Sequence, residues 1–403
     1  MRNRVVLLLL LVGALATAGS AWALKPNDAD WTLKWPQGRV HMSSAWNLTR
    51  GNRHVIVAVV DTGVNPKLRD LKGALVRGRD FVSGGYTKVD TEGHGTLVAS
   101  IIAARGNNGS GVPGYCWRCR VMPVRVSANG SYNTAVAATG IRWAADHGAR
   151  IISLSFSEAA GSTSDPSMAA AIAYAAQKGV LVLSSAGNTA ASGYTYPAAD
   201  PGAYAVAGTS KFDQLSSWST RGPWIHLAAP GCQLALSAKG EGVEPCGSSV
   251  SAPAVAGIAG LMLSVNPSLS STQLVSILEH TAKPVAGIDG GRVDAYAAIR
   301  AAAAKAELSA GERPVLLQRF LRGGWNLGLA VHGERVAATL HLAHARSCSL
   351  SLEAPDAVWL TSRRRPTSDS LVARVSTGKY RLNVSCRLRR PRLVSLSMRA
   401  FAH

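Results

Sequence analysis

Fully apolar, β-branched runs alternate along the chain with stretches of helical periodicity. Val55-Ile56-Val57-Ala58-Val59-Val60 is apolar at every position, which predicts a strand buried on both faces. Similar runs recur at 121–126, 151–155 and 180–185, with a shorter one at 204–208. Between them the apolar spacing becomes helical over 97–104, 134–147 and 168–178. Strands alternating with helices predict an α/β domain, a parallel sheet with helices on both faces. In such sheets ligands bind beyond the carboxyl ends of the strands. Upstream, residues 31–47 read as a lead-in, with Trp31, Trp35 and Trp46 as anchors on the domain surface.

The pattern changes twice more. After a helical run at 295–304 the period becomes two, as in Ala337-Ala338-Thr339-Leu340-His341-Leu342 and Leu371-Val372-Ala373-Arg374-Val375. That predicts a small all-β, sandwich-like domain. At the other end, Arg2 and Arg4 precede an apolar stretch at 5–18, and Ala21-Trp22-Ala23 offers a small-residue cleavage site. This is the pattern of a signal peptide, with an uncleaved N-terminal anchor as the rival reading. The expected division is 1–23 signal peptide, 24–304 sheet domain and 305–403 basic β-rich domain. No later stretch reads as a membrane span, so the mature chain is expected outside the cytoplasm, secreted or periplasmic, and soluble.

Composition adds three things. A chain of 403 residues with 47% hydrophobic and 16% charged residues suits a folded protein of more than one domain. Its six cysteines, all after the signal segment, permit 15 pairings. Proximity favours Cys116–Cys119, Cys232–Cys246 and Cys348–Cys386. Cys116-Trp117-Arg118-Cys119 could instead be half of a zinc site or a redox motif, but no second Cys/His pair lies nearby. The net charge of +20 raises nucleic acid, anionic envelope polymers and acidic substrates as partners. An extracytoplasmic address and the lack of a groove-reading basic helix argue against nucleic acid.

The candidate chemistry lies in four islands: Val59-Val60-Asp61-Thr62-Gly63-Val64, Gly93-His94-Gly95-Thr96, Ser185-Ala186-Gly187-Asn188 and Gly247-Ser248-Ser249-Val250-Ser251-Ala252-Pro253. In order they supply a carboxylate, a base, an amide donor and a hydroxyl. A hydroxyl becomes a useful nucleophile when a base takes its proton and a carboxylate holds that base in one tautomer. Each island also has a plainer reading. Asp-Thr-Gly begins aspartic-protease sites, which need two copies where this chain has one. His94 between glycines reads equally as a turn residue, and Ser248 and Ser251 read as helix caps.

Taken together the islands, with Ser217-Trp218-Ser219-Thr220-Arg221-Gly222 and Ala228-Ala229-Pro230-Gly231, resemble the subtilisin-like serine proteases over roughly 31–302. The resemblance implies a subtilisin-like fold and a secreted serine endopeptidase acting on protein or peptide substrates. It implies Ser249 as nucleophile, His94 as general base, Asp61 as its orienting carboxylate and Asn188 as an oxyanion donor. It also matches the segment 152–157 to an edge strand that pairs with substrate backbone. There Ser155, Phe156 and Ser157 replace the usual Ser-Leu-Gly of a specificity-pocket wall. Ser248 and Val250 stand where Thr and Met are commoner, and Ser248 keeps the hydroxyl.

The short interval between Ala23 and Asp61 leaves little room for a folding propeptide. No metal or other cofactor is expected for catalysis. Asp70 and the turn Asn107-Asn108-Gly109-Ser110-Gly111-Val112 resemble a structural calcium site of the family, although acidic residues are sparse. The arginine-rich region beyond 304, with Arg363-Arg364-Arg365 and Arg387-Leu388-Arg389-Arg390, reads as a solvated stabilising cap. The alternative is adhesion, with this domain binding anionic envelope polymers and proteolysis secondary. A catalytically dead binding module is disfavoured, because no triad member is absent.

Overall fold

The computed structural model describes residues 24–31, 35–86 and 90–304 in full, and the backbone of a helix end to Ser309 and of eight strands between Leu317 and Phe401. The expected signal peptide, with its Ala21-Trp22-Ala23 site, lies outside the described residues.

The strands in chain order are β1 (Ile56–Asp61), β2 (Arg79–Asp80), β3 (Arg120–Arg125), β4 (Ser127–Ala128), β5 (Ser131–Tyr132), β6 (Ile151–Leu154), β7 (Leu181–Ser185), β8 (Ala203–Thr209), β9 (Ile225–Pro230), β10 (Ala235–Leu236), β11 (Gly242–Val243), β12 (Lys283–Val285) and β13 (Ile288–Arg292). Nine of them make one sheet in the order β12-β13-β9-β8-β7-β6-β1-β3-β2. Every neighbouring pair is parallel except β12–β13. β4–β5 and β10–β11 are separate hairpins. The chain leaves β1 for β3 on one side and later crosses to β6 on the other, so the strand order reverses at β1. A crevice at the carboxyl end of such a switch strand is where α/β sheets place their ligands.

The helices are α1 (Trp35–Arg39), α2 (Met42–Leu48), α3 (His94–Ala103), α4 (Thr134–Asp146), α5 (Pro166–Gln177), α6 (Ser248–Val265), α7 (Ser271–Thr281) and α8 (Ala295–Ser309). Local chemistry sets their starts. Asn133 caps α4 through a bond from the Val136 N–H, 3.1 Å. Asp165 caps α5, with Pro166 in the first turn where its missing N–H costs nothing. A capping box of Ser270 and Gln273 opens α7.

One face of the sheet presents Ala58, Val60, Val124, Leu154 and Val182 to Ile141, Ala144, Ile172 and Ala175 of α4 and α5. Val57 and Val59, pointing the other way by the period-two rule, are equally buried. This two-sided burial is what the unbroken apolar runs predicted. Each such side chain contributes about 1.5–3 kcal/mol, so the strand that ends at Asp61 is held rigidly.

Three sequence expectations change. Trp46 is a core residue rather than a surface anchor: it is 1% exposed, donates to the Tyr115 carbonyl at 2.9 Å, and stacks 4.7 Å from Trp117. A later stretch does pass the length and hydropathy test for a membrane span, namely α6, but 83% of it is buried inside the protein. A helix apolar all round is what a core helix of a large domain requires. The third change concerns β6, which lies in the middle of the sheet between β7 and β1. The matched segment 152–157 is therefore an edge only in its extension past Leu154.

Disulfides join Cys116 to Cys119 and Cys232 to Cys246. The described strands between Leu317 and Phe401 form two four-stranded antiparallel sheets. In one of them Cys348 stands opposite Cys386 in the register of Ser347–Glu353 and Gly378–Arg387.

Candidate active site

Asp61 ends β1 and is 3% exposed. His94 opens α3, three residues earlier than the apolar periodicity indicated. The glycines beside His94 let these elements meet. A Cβ at Gly95 would lie 2.1 Å from the Gly63 carbonyl oxygen, and Gly93 adopts a left-handed φ of 91°. His94 Nδ1 then sits 2.8 Å from Asp61 Oδ1 and 3.0 Å from Oδ2, and the Thr62 N–H also donates to Oδ1, 2.7 Å. A carboxylate on Nδ1 fixes the tautomer with its proton there and leaves Nε2 as the basic nitrogen. The negative charge of Asp61 raises the His94 pKa above 6.5 against the effect of burial, with Asp90 and Glu92 adding to the rise.

Sequence reading missed Asp90, which ties this corner together. Its Oδ1 accepts from the Thr62 hydroxyl (2.9 Å) and the N–H groups of Glu92 (3.1 Å) and Gly93 (2.8 Å). Its Oδ2 accepts from the N–H (2.8 Å) and hydroxyl (2.6 Å) of Thr96. The Thr62 hydroxyl in turn accepts from the Gly95 N–H, 2.9 Å. An Asp shortly before Gly-His-Gly, in position to cap a helix start, was the available signal.

Ser249 lies within the first turn of α6. Ser248 does not cap that helix. Its hydroxyl donates to Asn188 Oδ1 at 2.8 Å, contacts the Ser185 hydroxyl at 2.6 Å and accepts from the Gly187 N–H at 3.0 Å. The Ser248 N–H donates to the same Asn188 oxygen, 2.8 Å. With that oxygen occupied, Asn188 turns its NH₂ group towards Ser249: a Cβ at Gly247 would lie 3.2 Å from both Asn188 Nδ2 and Ser249 Oγ. Ser251 bonds the carbonyls of Pro230 (3.1 Å) and Gly247 (3.3 Å). Among the described residues Ser249 Oγ has no hydrogen-bond partner.

Beyond β6, Ser155 is buried and Phe156 and Ser157 are half-buried. The Phe156 ring packs 4.2 Å from that of Tyr132, whose hydroxyl donates to Glu158 at 2.9 Å. Burial, together with the Glu158 carboxylate, pushes the Tyr132 phenol well up. Ser157 points the other way, its hydroxyl 3.6 Å from where a Cβ on Gly187 would be. On the far side of His94 a cavity of about 670 Å³ is lined by Glu92, Leu97, Ala238, Glu241 and Glu244. Most of that lining belongs to the loop closed by Cys232–Cys246.

The calcium-like segment also has a defined geometry. Asp70 accepts from the Asn108 amide (3.0 Å) and the Val112 N–H (3.1 Å), and Asp28 from the Asn107 N–H (2.7 Å). Asp28 Oδ1 is buried without a partner. Burial raises the pKa of both carboxyls, and the neighbouring negative charges add to it. An orphaned buried carboxylate oxygen in an oxygen-rich turn fits a hard cation. Among the described residues no group of three or more His, Cys, Asp or Glu is placed to hold one unaided, so carbonyl and amide oxygens would complete the shell.

Comparison with known proteins agrees with this geometry. The model of the subtilase family (Peptidase_S8) matches residues 52–308. The chain is 37% identical over 283 residues to thermitase of Thermoactinomyces vulgaris, covering 68% of this chain and 99% of thermitase. It is 33% identical over 281 residues to the cell wall-associated protease of Bacillus subtilis (strain 168), covering 68% of this chain and 31% of that protein. Among solved structures, a protease from Pseudoalteromonas arctica superposes with a TM-score of 0.62 at 28% identity, covering 69% of this chain and 99% of its own.

Proposed function

The chain belongs to the subtilase family and is a serine-type endopeptidase, and on that premise we propose that Asp61, His94 and Ser249 are its catalytic triad and Asn188 its oxyanion donor. The single observation that carries this is the 2.8 Å contact of His94 Nδ1 with the buried Asp61 carboxylate.

His94 Nε2 takes the Ser249 proton as Oγ attacks the scissile carbonyl carbon. Asp61 holds the ring and stabilises the imidazolium that forms. The carbonyl oxygen becomes an anion that accepts from Asn188 Nδ2 and the Ser249 N–H, at a helix N-terminus whose dipole favours negative charge. The imidazolium passes its proton to the leaving amine, and the acyl-enzyme remains. Water then repeats the sequence, with His94 again as base, and releases the acid. Subtilases need no cofactor for this chemistry.

Substrate backbone pairs with the extension past Leu154, where Ser155, Phe156 and Ser157 form one wall of the specificity pocket. The enzyme works outside the cytoplasm after loss of residues 1–23, with 24–304 as catalytic domain and 305–403 as an appended β-rich domain. The two disulfides support an oxidising compartment. Asp28, Asp70 and the 107–112 turn hold a structural calcium ion whose role is stability. Chelation should therefore lower the melting temperature of the wild type and not of Asp28→Asn, and equal loss in both would refute the site.

Ser249→Ala should abolish casein hydrolysis and fluorophosphonate labelling while leaving the melting temperature within about 1 °C, because no core volume is removed. Turnover near the wild-type rate would overturn the assignment.

A further inference from the structure

Arginine gathers at one cavity that the peptidase chemistry does not use. It measures about 520 Å³, and Arg53, Arg105, Arg118 and Arg120 line it with Trp117 and Asn52, without any carboxylate in the lining. None of these four guanidinium groups is in an ion pair among the described residues. Arg105 is braced by a bond from Nε to the Lys72 carbonyl, 2.7 Å. Behind the lining, Arg120 Nε and Trp117 Nε1 are buried with no partner among the described residues. A fifth guanidinium, Arg50, lies over the Trp117 ring at 5.6 Å.

The walls are built rather than incidental. The Arg118 N–H donates to the Arg50 carbonyl (3.0 Å), and the Arg120 N–H to the Val55 carbonyl (2.9 Å). Trp117 and Arg118 sit between the disulfide-linked Cys116 and Cys119. Gly51 packs so closely that a Cβ there would lie 2.4 Å from Cys116 Sγ. These bonds hold the backbone from which the Arg118 and Arg120 side chains project.

We propose that this cavity binds a ligand carrying two or more phosphate-type oxyanions. Guanidinium groups meet tetrahedral oxyanions through paired N–H bonds. The volume lies in the range of small-molecule sites and exceeds what one phosphate fills. Arg53 and Arg120 stand at the amino ends of β1 and β3, whereas Asp61 closes the carboxyl end of β1. At about 3.3 Å per residue the strand separates the two places by roughly 17–20 Å. The ligand therefore binds apart from the scissile bond, and the site stands independently of the peptidase assignment.

Calorimetric titration of the full chain, carrying Ser249→Ala to prevent self-digestion, tests the proposal at matched ionic strength. The probes are inorganic pyrophosphate and long-chain polyphosphate. Saturable one-to-one binding of pyrophosphate should weaken about tenfold in Arg118→Ala and about a hundredfold in Arg118→Ala/Arg120→Met, since each lost charge-assisted pair costs roughly tenfold. Arg77→Ala/Arg79→Ala, outside the lining, should bind as the parent does. Arg118→Glu on the active background should keep peptide turnover, which shows that the exposed position tolerates change. Binding of polyphosphate alone that is lost in the same variants would assign the groups to a polymer and keep the site. No saturable binding of either probe, or binding equal in parent and variants, would overturn it.

Discussion

Asn188 and Ser248 meet through one atom: the side-chain oxygen of Asn188 accepts both the backbone N–H and the hydroxyl of Ser248, each at 2.8 Å. An amide with its oxygen pinned has its NH₂ aimed, and here that group faces the hydroxyl of Ser249. Geometry of this kind is worth having before substrate arrives, because an oxyanion gains most from donors that need not reorganise.

Ser248→Ala should therefore lower kcat by about tenfold to a hundredfold with little change in KM, less than loss of an oxyanion amide itself. Ser248→Thr, which restores the hydroxyl, should recover most of the rate. Steady-state kinetics on one peptide amide checks this. Equal rates in Ser248→Ala and wild type would show that Asn188 is held by other means.

The pH profile follows from the raised pKa of His94. A general base works only when neutral, so kcat/KM falls as pH drops through that raised value, and the acid limb lies above 6.5. Removing the main cause with Asp61→Asn leaves burial dominant, so the limb should move to lower pH while the rate collapses by roughly 10⁴. For stability the sign is reversed. The imidazolium–carboxylate pair contributes fully below about 6.5 and its contribution fades as pH rises through the folded value. An acid limb unmoved in Asp61→Asn would count against His94 as the titrating base.

Asp90→Ala strips the partner from donors on Thr62, Glu92, Gly93 and Thr96 at once. Thr62 and Thr96 are buried, and leaving their donors unpaired should cost about 3–5 kcal/mol, or about 10 °C in melting temperature for a domain of this size. Scanning calorimetry would show it. Activity should fall as well, since the corner that seats His94 on Asp61 loosens. A variant that melts with the wild type would mean that water replaces the carboxylate.

Specificity divides between neighbours. Phe156 spends its bulk on Tyr132, while Ser157 faces Gly187. Substrates with small residues before the scissile bond should outrun those with Phe, and Ser157→Gly should raise kcat/KM for Phe peptides by about tenfold. Phe156→Leu should chiefly lower stability. A matched Ala, Leu, Phe and Arg peptide series decides it, and a wild-type preference for Phe would sink the idea.

The α/β domain was legible in the chain because its cause is local. Val57 to Val60 are apolar without a break, and only a strand buried on both faces needs that. The four islands stood out because a nucleophile, a base and a carboxylate need particular residue types in particular surroundings. The central place of β6 was not legible in the chain, because sheet order depends on which partners the crossovers select. Trp46 was misplaced for a related reason: composition cannot tell whether the body of an indole finds a core or a surface.

The sequence by itself determined which elements form and which residues are candidates for the chemistry, since burial period and side-chain type are properties of short segments. Only the tertiary structure decided what holds that chemistry in place. Asp90 to Thr62, Ser248 to Asn188 and His94 to Asp61 are bonds between residues 28, 60 and 33 positions apart. No local pattern encodes such distances. They exist because a parallel sheet delivers strand ends and helix starts to one edge, where polar groups shut away from water must find one another.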